Sequence, residues 1–445
     1  MTAFLLMTAF LASASGADIL SSMSQSPSKI AVVGAGVAGL TAAYILQRRH
    51  HVTLFEKNDY AGGHTHTVVI PDGPDKGTPV DTGFIVMNHR NYPLFTRLLE
   101  QLGVPLRDSE MSFSYWDELT GMQYSGGGLN GLFAQRRNLL RPAFLRMVRE
   151  VFRFFREAER DLAAGGLREQ TLGDYLKRGR YSEMFVRHHL IPMAAAIWST
   201  PDDRMMEFPA ESFLQFFRNH GLLTVNDRPQ WRTVAGGSQT YVKRMLADFK
   251  GEVRLCSPIA SVRRLEDRVV LATAAGAAGE FDGVVIAGHA DEALGLLADP
   301  SDAERRLLGA WVYQPNDTVL HADRSAMPPL RRIWSSWNYT RERGSDPAGP
   351  TALSYWMNRL QGLQTGTPLF VSLNRRAPLA ADRVVMRTVY HHPTYSQEAL
   401  ATQGELPALN GKRRTWYCGS YFGYGFHEDA VRSAVELVRG FGLDL

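Results

Sequence analysis

The chain has 445 residues, enough to bury the cores of two or three domains. Its 44% hydrophobic and 21% charged residues are typical of a globular protein in water. The net charge of +4 says little about partners, and no constellation of residues supports nucleic-acid binding. Two cysteines, Cys256 and Cys418, exclude a disulfide framework and a cysteine-based metal site, which favours a reducing cytoplasm.

The first residues are apolar and end in small side chains, as in an export signal, but no Lys or Arg precedes the apolar run. Met23, just before a polar stretch, would be a natural alternative start. We therefore expect residues 1–27 to be a loose extension or a mis-assigned start, with an anchor or export signal as the alternative. No other stretch has the eighteen uncharged apolar residues that suggest a membrane span.

Residues 29–56 have the sequence KIAVVGAGVAGLTAAYILQRRHHVTLFE. They combine two short apolar runs, a G-x-G-x-x-G turn, a helical segment and a terminal glutamate. This order is that of the first unit of a dinucleotide-binding domain. The sequence therefore predicts an ADP-containing cofactor, and a βαβ unit that binds nothing is the alternative.

Each glycine of this turn has a physical reason. Gly34 would allow a sharp turn, Gly36 a close approach to a pyrophosphate, and Gly39 close packing of the helix on the strand. Unpaired amides at the helix start favour the negative charge of the phosphates. Glu56 would accept hydrogen bonds from an adenosine ribose.

The next segments alternate between glycine turns and amphipathic elements. The pair Gly62-Gly63 marks a second close backbone approach, which a pyrophosphate explains best. Residues 92–103 predict an amphipathic helix with a glycine cap. The aromatic and glycine-rich residues 111–131 indicate a hairpin and a loop.

A long amphipathic helix is predicted over residues 142–164, with apolar side chains on one face and arginines on another. The arginines are Arg146, Arg149, Arg153, Arg156 and Arg160. We interpret the basic face as solvated, with contact to anionic lipid headgroups at the inner face of the membrane as the alternative.

Residues 171–198 are also predicted to be helical and contain His188 and His189. Adjacent histidines point to different faces of a helix, so we interpret them as packing residues rather than a metal pair. Further apolar segments predict strands at 252–263, 268–273 and 281–288.

The far end of the chain again combines a strand, a glycine-rich turn and a helix, which starts near 427–430. Acids in the first turn of that helix complement its dipole. The nucleotide-type elements thus fall into three blocks, and we expect two domains. Residues 28–105, 232–290 and 411–445 would form the nucleotide-binding domain, and residues 106–231 and 291–410 a discontinuous second domain.

These motifs in this order resemble the flavin-dependent amine oxidase and desaturase superfamily over nearly the whole chain. The resemblance rests on the first glycine turn with Glu56, the pairs Gly62-Gly63 and Gly236-Gly237, and the terminal turn and helix. AAAIWS, AGHADEAL, YHHP and GYGFHED look like a bacterial branch of amine-oxidase-like, predicted NAD/FAD-binding proteins. Genes of that branch often lie beside cyclopropane-fatty-acid-synthase-like methyltransferases, which hints at a lipid substrate.

The resemblance implies an α/β fold class. It consists of a Rossmann-type FAD-binding domain, of the glutathione-reductase or amine-oxidase type, and a discontinuous α+β substrate domain. It also implies non-covalent FAD, with the ADP half at the first turn and the flavin N1 and C2 carbonyl at the last helix. The expected cofactor residues are Gly34, Ala35, Gly36, Ala38, Gly39, Glu56, Lys57, Gly62, Gly63, His64, Ile259, Gly419, Gly425, Phe426, His427, Glu428 and Ala430. The sequence assigns no catalytic residue and no metal ligand.

Three departures from the superfamily bear on this transfer. His64 stands where an arginine usually follows the paired glycine, which could make the phosphate contact sensitive to pH. No lysine occurs between Lys250 and Lys412, where amine oxidases place one near flavin N5. Cys418 aligns with the residue before the terminal glycine, not with a covalent flavin-attachment cysteine.

The leading hypothesis is an FAD-dependent oxidoreductase that takes a hydride from an apolar, acyl or lipid-like chain. The tyrosines Tyr390, Tyr421 and Tyr424, with His427, could face the flavin, although packing is the simpler interpretation. The alternatives are an amine oxidase, a redox-neutral isomerase, and a non-catalytic carrier of lipids or lipidated proteins. The oligomeric state stays open.

Overall fold

The computed structural model describes residues 26–346 and 348–445. The expected N-terminal extension therefore lies outside the described residues, apart from Ser26 and Pro27.

The strands of the described chain, in order, are β1 (Lys29–Val33), β2 (His51–Phe55), β3 (Thr67–Val69), β4 (Pro79–Asp81), β5 (Leu106–Ser109), β6 (Phe113–Asp117), β7 (Gln123–Ser125), β8 (Trp231–Val234), β9 (Glu252–Arg254), β10 (Ile259–Arg264), β11 (Val269–Thr273), β12 (Gly276–Phe281), β13 (Gly283–Ile286), β14 (Val312–His321), β15 (Trp337–Arg341), β16 (Ala352–Trp356), β17 (Phe370–Leu373), β18 (Val384–Thr394) and β19 (Thr415–Tyr417).

The α-helices are α1 (Val37–Leu46), α2 (Pro93–Gln101), α3 (Leu129–Leu132), α4 (Pro142–Ala164), α5 (Leu172–Arg178), α6 (Glu183–Phe185), α7 (Ile191–Trp198), α8 (Asp202–Met206), α9 (Ala210–Asn219), α10 (Gln239–Ala247), α11 (Ala290–Leu296), α12 (Asp302–Gly309), α13 (Met357–Leu360), α14 (Gln397–Gln403) and α15 (His427–Arg439). A π-helical turn, Val186–Leu190, lies between α6 and α7.

A parallel sheet in the order β19-β13-β1-β2-β9 organises the nucleotide-type elements. Its central strand β1 has fully buried apolar side chains, as a sheet covered on both faces requires. The helices α1 and α15 pack together against it, although they come from opposite ends of the chain. The predicted α/β fold with a dinucleotide-type βαβ unit is confirmed.

A second, seven-stranded sheet runs in the order β18-β14-β17-β16-β15-β6-β7. Its pairs are antiparallel except for β15 and β6. Helices α4 to α9 form an apolar layer that packs with this sheet into a large core. The division into two domains remains a prediction, and the two separate cores favour it.

Two predicted elements differ from the structure. The strand expected at 252–263 is two strands in different sheets, because Cys256 adopts a φ of +51° and turns the chain between β9 and β10. The helix expected at 171–198 is broken after α5, where Arg180 has a φ of +49° and Ser182 caps the next helix. In both places a left-handed residue ends the element.

Among residues 26–346 and 348–445, no helix combines the length and the hydrophobicity that crossing a bilayer requires.

Candidate active site

A cavity of about 1560 Å³ lies between the two cores. One wall is formed by the carboxyl ends of β1 and β13 and by the start of α1, which is where parallel α/β sheets bind ligands. The opposite wall is formed by α4, α7 and one face of the seven-stranded sheet. The cavity therefore joins the nucleotide-type elements to the second core.

The first glycine turn holds the start of α1 against the end of β1. A Cβ on Gly39 would lie 1.9 Å from the carbonyl oxygen of Gly34, and Gly34 itself has a φ of +101°. By contrast, a Cβ on Gly36 would meet no protein atom within 4 Å. Gly36 lines the cavity and precedes a helix start that no side chain caps. This space suits a phosphate group, which the free amides would bind.

Glu56 is fixed by two backbone amides. Its Oε2 accepts from the N–H of Ala35 at 2.8 Å and its Oε1 from that of Asn58 at 3.0 Å. Each oxygen keeps a further lone pair, and the residue lines the cavity. Next to it, the Lys57 ammonium pairs with Glu292 at 2.7 Å. A ribose hydroxyl could be bound here without an unpaired buried charge.

The second glycine pair lies against the first. Gly36 and Gly62 form an isolated parallel bridge, and a Cβ on Gly63 would be 3.1 Å from the Cα of Gly36. The following residue, His64, is half-buried, and its buried Nε2 has no hydrogen-bond partner in the described chain. Burial and the nearby His392 and His289 lower the pKa of His64 well below its usual value.

The start of α15 forms the remaining part of this wall. The ring of His427 stacks on Phe84 at 3.7 Å, and its Nε2 lies 2.9 Å from the hydroxyl of Thr65. Burial lowers the pKa of His427 to about 3, so the ring is neutral. The carboxylate of Glu428 accepts from the amide of Phe95 at 2.9 Å, at the start of α2. The His427 ring and the Glu428 carboxylate are therefore engaged inside the protein, which leaves the backbone amides of this turn for a ligand.

Most of the expected cofactor residues line the cavity. These are Gly34, Gly36, Ala38, Glu56, Lys57, Gly62, Gly63, His64, Ile259, Gly419, Gly425, Phe426, His427 and Ala430. Ala35, Gly39 and Glu428 do not, and they act on the wall through the contacts described above. Of the tyrosines considered, Tyr390 lines the cavity, whereas Tyr421 and Tyr424 lie behind it.

The half of the cavity that faces α4, α7 and the seven-stranded sheet, which we call the substrate half, is mostly apolar. Val148, Val151 and Phe155 from α4 line it, as do Met193 and Ile197 from α7. The sequence pattern had placed the α4 residues on one apolar face, but only the fold turns that face toward a cavity.

Sequence reasoning did not find two residues of this half. His189 and Trp337 both line the cavity. The interpretation of His188 and His189 as packing residues holds for His188, whose Nδ1 lies 2.8 Å from the hydroxyl of Tyr115. The one sequence signal for His189 is Pro192 three residues later, which disturbs the helix.

These features fit the ADP and ribityl portions of FAD. The Gly36 space, the uncapped start of α1 and the Glu56 oxygens provide donors and acceptors in the order that pyrophosphate and ribose require. The unpartnered Nε2 of His64 provides one more polar contact. FAD, when bound, supplies a hydride acceptor.

The model of the family described as flavin containing amine oxidoreductase matches residues 37–363 of this chain. Because this match covers most of the sequence, the chain belongs to that family. The predicted class of flavin oxidoreductase is thereby confirmed at the level of family.

Two curated relatives and one solved structure show similarity to parts or all of the chain. A 1-hydroxycarotenoid 3,4-desaturase of Flavobacterium sp. (strain P99-3) is 34% identical over 99 residues, which are 22% of this chain and 18% of that protein. An L-amino-acid oxidase of Mus musculus is 26% identical over 260 residues, or 56% and 39% of the two chains. The chain thus matches less than half the length of either relative. A fatty acid isomerase from P. acnes shares the fold, with 16% identity, coverage of 93% and 98%, and a TM-score of 0.63.

An added methyl group should have different effects at Gly36 and at Gly39. Gly36→Ala should leave the unfolding free energy of the apoprotein within about 0.5 kcal/mol of wild type but reduce FAD affinity at least tenfold, because the Cβ enters the open space. Gly39→Ala should lower both, because its Cβ collides with the backbone of Gly34. Thermal melts and the absorbance of bound flavin near 450 nm distinguish the two. Equal loss of stability in both variants would contradict this assignment.

Histidines of the cavity wall whose pKa is lowered by burial should make the protein less stable in mild acid. Burial lowers the pKa of His189 and His392 to about 4 and that of His427 to about 3. The unfolded chain, with ordinary histidine pKa values near 6.5, therefore binds more protons as the pH falls below 6.5. Each group should then cost at most about 2 kcal/mol of stability at pH 5.

Urea unfolding at pH 7.5 and pH 5 measures this difference. Stability should be full above pH 6.5 and fall steadily toward pH 4. An unchanged midpoint between the two pH values would show that these rings are solvated and protonated.

Proposed function

We propose that this protein is an oxidoreductase that holds FAD non-covalently and removes a hydride and a proton from neighbouring carbons of an acyl or lipid-like chain. The apolar substrate half of the cavity is the observation that carries the proposal. Each methylene buried against such a wall contributes about 0.8 kcal/mol, so an alkyl chain gains affinity along its length. FAD, held by the two glycine turns and Glu56, would supply the hydride acceptor, and the proton would be released to water.

The charges on the cavity wall favour a neutral substrate over an ammonium. Its only described carboxylates belong to Glu56, Glu110 and Glu292. Glu56 accepts two backbone hydrogen bonds, Glu292 pairs with Lys57, and Glu110 pairs with Arg359. A protonated amine in the apolar half would lack a free counter-ion, and burying an unpaired charge is costly.

The positions of the two cysteines support non-covalent binding. Cys418 is buried, its pKa is raised to about 12 by burial, and it does not line the cavity. Cys256 is exposed at a turn outside the cavity wall. Neither thiol is placed to attach a flavin.

We expect fatty acids or phospholipids to bleach the bound flavin under anaerobic conditions, whereas benzylamine and spermine do not. Stopped-flow absorbance near 450 nm measures the rate. Bleaching by amines alone would overturn the proposal. An acyl product shifted in double-bond position without net flavin reduction would instead indicate an isomerase, and failure to bind FAD a carrier.

We further propose that α4 meets an anionic membrane. The five arginines of the helix do not form one unpaired face, because Arg146, Arg153 and Arg160 pair with carboxylates of the same helix. No carboxylate of the described residues lies within ion-pair distance of Arg149 or Arg156. Their helical spacing places these two on one exposed face with the apolar residues at positions 145 and 152.

This face continues into the rim of the cavity. Leu129, Phe152 and Val225 line the cavity and are nevertheless 75%, 50% and 57% exposed. Leu140, just before α4, is 87% exposed. Exposed apolar groups next to unpaired arginines are typical of surfaces that contact lipid headgroups and acyl chains. A membrane seated here would deliver acyl chains directly to the cavity.

Arg149→Glu with Arg156→Glu should weaken binding to phosphatidylglycerol-containing vesicles at least tenfold, since each arginine near an anionic surface contributes about 1 kcal/mol. Arg263→Glu with Arg305→Glu, both at exposed positions elsewhere, is the matched control of charge. Vesicle co-sedimentation measures both pairs. Equal weakening by the two pairs would mean that net charge, not this surface, binds the membrane.

A further inference from the structure

The turn around His189 is shaped by a missing hydrogen-bond donor. Pro192 has no N–H, so the carbonyl oxygen of His188 cannot receive the usual helical bond from four residues on. The chain adopts a π-helical turn over Val186–Leu190, a feature often found at functional sites. The hydroxyl of Tyr124 donates to the freed carbonyl at 2.7 Å.

This contact fixes the tautomer of the neighbouring histidine. A tyrosine hydroxyl has one hydrogen, and that of Tyr124 is given to the His188 carbonyl. The Nδ1 of His189, 3.0 Å from the same hydroxyl, must therefore be the donor. With the proton on Nδ1 and the ring kept neutral by burial, Nε2 carries a free lone pair.

That lone pair has no partner inside the protein. The hydroxyl of Tyr124 makes the one hydrogen bond found for the His189 ring among the described residues. The ring is partly accessible and lines the cavity, so its accessible edge faces the cavity. Its neighbours on this wall include Met147, Val151 and Met193, which offer no hydrogen-bond donor. The apolar half thus contains an oriented acceptor at His189.

We propose that His189 determines substrate choice by accepting a hydrogen bond from a neutral hydroxyl on the acyl-type chain. The inference rests on the proposed function and specifies its substrate class as a hydroxylated acyl chain or long-chain alcohol. An ammonium could also donate, but it would bring an unpaired charge into the apolar half. A chain without a donor leaves Nε2 desolvated and unpaired, which disfavours its binding.

Two probes of the same chain length distinguish the effect of hydrogen-bond donation from the effect of molecular shape. n-Decanol can donate a hydrogen bond, whereas nonyl methyl ether, which has the same number of heavy atoms, cannot. Bound to the FAD-loaded enzyme and measured by calorimetry, decanol should bind the wild type about fivefold more tightly, equivalent to about 1 kcal/mol. His189→Phe should bring the ratio of the two Kd values to about one. His188→Phe is the matched control, because that ring does not line the cavity.

A second variant leaves the imidazole in place. Tyr124→Phe removes the acceptor for Nδ1–H and frees the tautomer, so the decanol preference should fall to about half or less. Nitrogen-15 NMR should show that the His189 signal, identified by its absence in His189→Gln, has an unprotonated Nε2 at pH 7.

The outcomes distinguish this inference from the proposed function. A ratio that His189→Phe leaves unchanged, or a protonated Nε2, overturns the hydroxyl preference alone. If neither decanol nor the ether binds the wild type, both the apolar-chain function and the hydroxyl preference are overturned. A preference lost equally in His188→Phe would assign the effect to the helix rather than to the ring.

Discussion

The close contact between α1 and the end of β1 is the constraint on which the site depends. With no side chain at Gly39, the helix start can lie directly on the backbone of Gly34, closer than any Cβ would allow. That contact places the uncapped amides of α1 at the carboxyl edge of the parallel sheet. The second glycine pair and the start of α15 then close around the same edge. This edge suits a phosphate group because backbone, rather than side chains, forms the wall.

The two halves of the cavity differ in the polarity of their walls. In the nucleotide half, polar groups are present and fixed, as when both oxygens of Glu56 accept backbone hydrogen bonds. In the substrate half, the wall is mostly hydrocarbon and aromatic, and the carboxylate at its edge, Glu110, is paired with Arg359. An anionic cofactor and an apolar chain can therefore be bound next to each other without a buried unpaired ion. Neutral histidines, including His64 and His392, lie where the halves meet.

Local departures from regular geometry place the polar groups of the substrate half. Pro192 withholds one backbone hydrogen bond, Tyr124 takes its place, and the ring of His189 is oriented as a consequence. The same helical layer exposes apolar and basic side chains at the rim of the cavity. The substrate half of the cavity and its exposed rim thus share one layer of helices, which packs against the seven-stranded sheet.

The sequence by itself determined the first glycine turn and Glu56, because these residues are adjacent in the chain. Glycine spacing, the flanking apolar runs and Glu56 act over a few residues, so pattern alone predicts them. It also predicted the apolar and basic faces of α4. Only the tertiary structure decided that the carboxylate of Glu428 caps α2. It alone decided that His189 faces the cavity while His188 packs. The physical reason is that this cap and the cavity wall join residues far apart in the chain, whereas a sequence pattern reports only on neighbours.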